Sequence, residues 1–314
     1  MRFLVTGGAG FIGSNLVETL LENGGEVVVL DNLSTGKREN IDPFKGNKRF
    51  TFIEDSTTDP AVCERAAQGV DYVLHQAALV SVPLSIEEPV ATYEINIRGT
   101  SNIFLAARDA GVKRVVWASS TSVYGNAERL PNVESMPLGP LSPYAASKAS
   151  GEMLARAYTE SYGMSIISLR YYNVFGKRQD PKSHYAAALP IFVSQLMRGE
   201  PVTIFGDGEQ TRDFVHIDNV VQANISAATR AKPDAAGKAF NIGCGRELSI
   251  NELYSLIAGE LGSEAKPRYE PERPGDVRHS VADISAARDA FGYNPTVSVE
   301  EGLARSIAWY RENR

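Results

Sequence analysis

The 314-residue sequence predicts an α/β protein: a doubly wound parallel sheet followed by a smaller α/β lobe toward the C-terminus. Short apolar runs alternate with helix-period segments through the first half of the chain. The first run, Arg2–Thr6, feeds a glycine-rich turn and then an amphipathic helix, and the second, Glu26–Leu30, ends on an acid, Asp31. Alternation of this kind covers both faces of a parallel sheet, which is why the strands read as continuous apolar runs.

In order, the pattern predicts strand 2–6, helix 11–23, strands 26–30 and 50–54, helix 60–67, strand 71–75, helix 89–110, strand 114–119, helix 143–162 and strand 165–170. Beyond residue 172 the alternation gives way to Gly- and Pro-rich loops such as Phe205-Gly-Asp-Gly208 and Pro271-Glu-Arg-Pro-Gly275. The expected division is 1–172 for the sheet domain and 173–314 for the lobe. Phe214–Ile217 and Ala239–Ile242 are apolar enough to return to the main sheet as strands, so that 214–242 rejoins the first domain.

The opening turn, Gly7-Gly8-Ala9-Gly10-Phe11-Ile12-Gly13, has the strand, turn and helix context of a dinucleotide site. One glycine makes the tight turn, one lets the backbone approach a pyrophosphate, and one lets helix and strand pack closely. Gly7, Gly10 and Gly13 take these places, and Phe11 and Ile12 open the helix whose free amides face the phosphates. Asp31 follows Gly13 by eighteen residues, the spacing of an acid that holds ribose hydroxyls. A carboxylate there repels a 2'-phosphate, which favours NAD over NADP despite the nearby Lys37 and Arg38.

The net charge, 32 minus 38 or −6, opposes nonspecific binding to nucleic acid or an anionic membrane. No apolar run has the length of a membrane span, and Met1-Arg2 leads directly into a strand, so a cytoplasmic protein is expected. Cys63 and Cys244 lack metal or redox spacing, and His75, His184, His216 and His279 are scattered, so no metal site is expected.

Chemistry concentrates where the strand at 114–119 ends. Ser119 and Ser120 stand at that carboxyl edge, and Tyr144 and Lys148 share one face of the next helix. A phenol with an ordinary pKa near 10 needs a neighbouring cation to act as a base at neutral pH. Lys148 supplies it one turn away, and Ser120 is placed to hydrogen-bond the reacting oxygen.

Together these pieces resemble the extended short-chain dehydrogenase/reductases with a Rossmann-type fold, and among them the nucleotide-sugar 4-epimerases. The likeness spans essentially the whole chain: Thr6 to Gly13, Asp31-Asn32-Leu33, His75 to Ala78, Asn96, Ser119-Ser120, Tyr144 to Lys148, Leu169 to Gly176, and Arg212-Asp213. The resemblance implies a bound NAD held by the glycine turn, by Asp31, Asn32, Thr35 and Gly36 at the adenosine ribose, and by Asp55 and Ser56 at the adenine. Ala77 and Ala78 would lie on the pyrophosphate side, with Asn96, Tyr144, Lys148 and Tyr172 completing the pocket. It further implies that Tyr144 removes the proton of the sugar 4-hydroxyl as hydride leaves carbon 4, and that the resulting 4-keto sugar turns over and takes the hydride back on its other face.

Substrate residues implied by the same resemblance are Ser81, Ser120, Thr121 and Ser122 at the sugar, Asn173, Arg212 and Arg273 at the pyrophosphate, Asp276 at the nucleoside ribose and Phe205 against uracil. A UDP-sugar is the expected substrate. Dehydratases of this family carry an Asp-Glu pair where this chain has Thr121 and Ser122. Ser280 stands where relatives confined to plain hexoses have Tyr, and a serine leaves room for an N-acetyl group; Val80 stands where they often have Lys, and Ser81-Val-Pro83 resembles the subgroup acting on UDP-N-acetylhexosamines, so UDP-GlcNAc is expected ahead of UDP-Glc. The competing expectations are a UDP-glucose 4-epimerase, a uronate 4-epimerase using Ser81, Arg178 or His184 as an extra donor, and a noncatalytic NAD sensor. Relatives pair through helices matching 89–110 and 143–162, which implies a homodimer.

Overall fold

The structure, a computed structural model, describes residues 1–127, 129–181, 188–272 and 277–313. Its strands are β1 (Arg2–Thr6), β2 (Glu26–Leu30), β3 (Phe50–Ile53), β4 (Tyr72–His75), β5 (Arg114–Ser120), β6 (Ile166–Tyr171), β7 (Asn173–Phe175), β8 (Thr203–Phe205), β9 (Thr211–Arg212), β10 (Phe214–His216), β11 (Ala239–Ile242), β12 (Leu248–Ser249) and β13 (Arg268–Glu270). The helices are α1 (Phe11–Glu22), α2 (Pro60–Ala67), α3 (Val82–Glu87), α4 (Pro89–Tyr93), α5 (Thr100–Asp109), α6 (Pro143–Tyr162), α7 (Ala188–Met197), α8 (Ile217–Arg230), α9 (Ile250–Leu261), α10 (Ser285–Phe291) and α11 (Val299–Glu312).

Seven parallel strands form the main sheet in the order β11-β6-β5-β4-β1-β2-β3. The order reverses at β1, so the carboxyl ends of β1 and β4 diverge into a crevice, the usual ligand position in such sheets. One apolar core joins the sheet to α1, α8 and α10; a second, containing Val73, Val115, Trp117 and Ile166, packs the other face against α2, α5 and α6. A third core, around Phe192, Leu253 and Ile307, builds the lobe from α7, α9 and α11.

Two expectations are corrected. Ala239–Ile242 adds to the main sheet beside β6, but Phe214–His216 does not: β10 pairs in parallel with β7 in a separate two-stranded sheet. Apolar character is common to both segments, so it does not tell which strand each one pairs with. The single helix expected over 89–110 is α4, a π-helical turn over Glu94–Gly99, and α5. This wide turn carries Asn96, whose amide is drawn away to the loop after β4.

Candidate active site

The dinucleotide turn is built as its glycines require. Gly7 has φ +67°, and a Cβ there would also sit 2.8 Å from the Ala77 amide nitrogen. At Gly13 a Cβ would come 2.1 Å from the Gly7 carbonyl oxygen, so any side chain would push α1 off the turn. Gly10 ends the turn at the N-terminus of α1 with no side-chain cap, and the first-turn amides of Phe11 and Ile12 have no acceptor within their own helix. A bare turn ending in free amides fits a pyrophosphate.

Asp31, at the end of β2, is buried and accepts from the amides of Ala9 (2.9 Å) and Leu33 (2.8 Å). Burial raises its pKa, and the two amides offset part of that rise. Gly36 lies so close that a Cβ would be 2.9 Å from both Asp31 oxygens, while Asn32 folds the intervening loop, which includes Thr35, by accepting from the Ser34 amide (3.1 Å). Lys37 pairs with Asp180 (2.9 Å) and Arg38 with Glu54. Both cations therefore already have carboxylate partners, and the buried carboxylate at the end of β2 is Asp31, which fits NAD. Asp55 and Ser56 follow β3 beside this loop, with the Ser56 amide donating to Asp55 Oδ1 (2.8 Å).

The other wall comes from the loop after β4. His75 is bonded through Nδ1 to Thr6 Oγ1 (2.6 Å) and through Nε2 to Thr100 Oγ1 (3.0 Å), and burial lowers its pKa to about 3, so it is a neutral tie between β1, β4 and α5. The Ala77 amide donates to Thr6 Oγ1 (3.2 Å), which seats Ala77 and Ala78 against the glycine turn. Asn96 accepts from the Leu79 amide (2.8 Å) and donates to Leu79 O and Ser147 Oγ. Its amide thus ties the loop after β4 to α6 and shapes this wall.

At the carboxyl edge of β5, Ser120 caps a short 3-10 turn, Thr121–Tyr124, by accepting from the Ser122 amide (3.2 Å). Ser142 caps α6, and the Tyr144 amide donates to the buried Ser85 Oγ (3.0 Å), which fixes the first turn of that helix. Burial raises the Tyr144 pKa, and the neighbouring Ser120 hydroxyl draws it back down. Lys148 donates to Ala118 O (2.7 Å), with Nζ 5.0 Å from the Trp117 ring and 5.8 Å from the Tyr144 ring. Burial lowers its pKa to about 7, placing its proton near balance at neutral pH. A phenol, a hydroxyl and a titratable amine thus meet at one strand end, as a proton-transfer site needs.

Toward the lobe, the Tyr172 hydroxyl and Ser122 Oγ are buried without a hydrogen-bond partner among the described residues. Asn173 opens β7, Phe205 ends β8, and Arg212 in β9 donates to Thr211 O (2.8 Å). The segment carrying Ser280 lies along β9: Thr211 bonds to Arg278 O (3.0 Å) and to His279 Nδ1 (2.9 Å). Ser81 serves as the N-cap of α3 by accepting from the Leu84 amide (3.1 Å). Arg273, Asp276 and His184 lie outside the described residues.

Three positions at the site had no role in the sequence reading. Asp213, next to Arg212, is fully buried and accepts from the amides of Cys244 (2.7 Å), Gly245 (2.9 Å) and Ala282 (3.1 Å), joining β9 to the Ser280 segment. Its pKa is raised to about 6 by burial, against the pull of those amides. Glu152 and Arg170 form a buried ion pair behind Ser119 (2.7 Å). Spacing gave one hint, since Glu152 stands four residues after Lys148, as Lys148 does after Tyr144.

The chain is similar over its length to known proteins. The model of the NAD dependent epimerase/dehydratase family matches residues 3–243. The UDP-glucose 4-epimerase of Mycolicibacterium smegmatis is 40% identical over 313 residues, covering 99% of this chain and 99% of that protein. Among solved structures, a UDP-N-acetylglucosamine 4-epimerase from Methanobrevibacter ruminantium in complex with UDP-N-acetylmuramic acid aligns with TM-score 0.94 at 40% identity, covering 100% of this chain and 99% of that one. The UDP-glucose 4-epimerase of Thermotoga maritima, solved with UDP-glucose, aligns with TM-score 0.93 at 40% identity over the same shares. With its glycine turn, Asp31 and the Ser120, Tyr144 and Lys148 cluster at one sheet edge, this chain belongs to the NAD-dependent epimerase/dehydratase family, and within it to the nucleotide-sugar 4-epimerases.

Proposed function

We propose that the protein interconverts UDP-GlcNAc and UDP-GalNAc, and more slowly UDP-Glc and UDP-Gal, through a 4-keto sugar. The observation that carries epimerisation is the Ser120, Tyr144 and Lys148 cluster beside a dinucleotide turn, with hydroxyls and no carboxylate at 121 and 122. NAD, when bound, supplies the acceptor and donor of the carbon 4 hydride. The Tyr144 oxygen takes the proton of the 4-hydroxyl and returns it after the sugar presents its other face. Ser120 holds that oxygen in reach, and the Lys148 ammonium favours the phenolate. Elimination of water needs an additional acid and base, which Thr121 and Ser122 do not provide.

The acetyl preference rests on Ser280. It is half-buried between His279, which is bonded to Thr211, and Val281, whose carbonyl accepts from the Asn132 amide (2.8 Å). A serine takes little space there. The second reading, a plain UDP-glucose 4-epimerase, draws on the similar structure solved with UDP-glucose. The uronate reading would draw on Arg178, which pairs with Glu18 through Nη2 (2.9 Å) and leaves Nη1 buried without a partner among the described residues, whereas Ser81 is engaged in its helix cap.

Purified protein without added NAD is expected to convert UDP-GlcNAc faster than UDP-Glc, as resolved by anion exchange and proton NMR. Ser280→Tyr is expected to cut the rate on UDP-GlcNAc tenfold or more while sparing UDP-Glc, in line with a pocket contact of ~1–3 kcal/mol. UDP-Gal formed alone by the parent, or equal loss on both sugars in the variant, would remove Ser280 as the gate.

The proposed active form is a homodimer. Val90 (72% exposed), Ile86 (63%) and Met153 (57%) lie on α4, α3 and α6, where a second copy would cover them. Light scattering is expected to give twice the chain mass, and Val90→Glu with Met153→Glu to give monomer; a monomeric parent would end this part of the proposal. The two cysteines are unbridged, which suits a reducing compartment, and the cytoplasm is the proposed location.

A further inference from the structure

Three polar side chains form one register row across adjacent strands beneath α6. Ser119 of β5 stands opposite Arg170 of β6, and Arg170 opposite Asn241 of β11. All three are buried, on the sheet face that also carries Val115, Trp117 and Ile166 of the apolar core and the buried Ser168. α6 meets the row with Glu152, one turn past Lys148 and two past Tyr144. Arg170 donates to Glu152 through Nε (2.9 Å) and Nη2 (2.7 Å), and Ser119 Oγ donates to the same carboxylate (2.5 Å).

On its other side Arg170 Nη1 donates to the Tyr124 hydroxyl (2.7 Å), which in turn donates to Asn241 Oδ1 (2.7 Å). Tyr124 is the last residue of the 3-10 turn that Ser120 caps. One guanidinium is therefore bonded both to the helix carrying Tyr144 and to the turn carrying Ser120.

A buried ion pair returns little net stability, since desolvation offsets most of its attraction, and apolar residues would fill this face as well. What a bidentate pair adds is direction. The distance of α6 from the sheet is already set by Gly151, where a Cβ would lie 2.3 Å from the Trp117 ring. Close packing at a glycine leaves rotation about the helix axis less constrained. A rotation of about 20° moves a group ~6 Å from the axis by about 2 Å, and misplacement of about 1 Å can lower a rate 10²-fold.

We propose that Glu152, Arg170 and Tyr124 are positioning residues that hold Ser120 and Tyr144 in reacting register. The turnover part of the test rests on the epimerase reading; the spectroscopic part does not. Tyr124→Phe removes two hydrogen bonds without stranding a charge, and Glu152→Gln breaks the ion pair itself. Each folded variant is expected to keep its NAD content and a KM within twofold of the parent while kcat falls tenfold or more. Because the Ser120 hydroxyl lowers the Tyr144 pKa, loosening that contact is expected to shift the rising limb of the kcat–pH profile to higher pH.

The same shift is readable without substrate. In protein labelled with 13C at tyrosine Cζ, the resonance absent from Tyr144→Phe is expected to titrate at higher pH in Tyr124→Phe than in the parent. If Glu152→Gln does not fold, Tyr124→Phe decides. Parental kcat and an unmoved Tyr144 titration in a folded Tyr124→Phe would overturn the inference. A parent that titrates as described but epimerises no UDP-sugar would instead refute the functional reading alone.

Discussion

Tyr144→Phe is expected to lower epimerisation by about 10²–10⁴-fold, the usual range for loss of a positioned acid or base, while leaving fold and NAD content intact. The ring stays, the backbone amide still reaches Ser85 Oγ, and the cap from Ser142 is untouched. Only the phenolic oxygen beside Ser120 is gone. The measurement is single-turnover epimerisation alongside the ratio of NAD to protein. In the parent, a base must lose its proton to act, so kcat is expected to fall as pH drops through the titration of the Tyr144 and Lys148 pair; the variant's residual rate should lack that limb. A Tyr144→Phe enzyme with parental activity would move the proton transfer to another group.

Lys148→Met is expected to separate activity from stability. Burial depresses the Lys148 pKa to about 7, below its unfolded value near 10.4. Between those values the unfolded chain binds more protons than the folded one, so this group's contribution to stability rises with pH across that window. Its cost is therefore full below about pH 7 and fades toward pH 10. Replacing it by Met, of similar length, is expected to stabilise the fold by on the order of 2 kcal/mol at pH 7, with the gain shrinking at pH 9.5, when both proteins are melted at saturating NAD. Activity is expected to fall by about 10²-fold or more as the phenolate loses its cation. A variant that is both less stable and fully active would contradict the assigned role and the sign of the burial effect together.

Much of the cofactor half was legible because its determinants are local. A strand, a glycine turn and a helix are neighbours in the chain, and Asp31 lies at the end of the very next strand. Tyr144 and Lys148 are one helical turn apart, so sequence spacing alone puts them on one face. The lobe was harder. Phe214–His216 and Ala239–Ile242 have the same apolar character, yet one pairs with β7 and the other with β6. Likewise, Asp31 favoured NAD from the sequence, but only the fold shows that the nearby Lys37 and Arg38 pair with Asp180 and Glu54.

The sequence by itself determined the α/β class, the glycine turn and the placing of Tyr144 and Lys148 on one helix face, since each depends on short-range geometry that a few neighbouring residues specify. Tertiary structure alone decided the polar row behind those residues. Ser119, Arg170 and Asn241 are separated by 51 and 71 positions in the chain and become a row only through the register of β5, β6 and β11. Such register follows from how whole strands and helices pack, so no local pattern announces it.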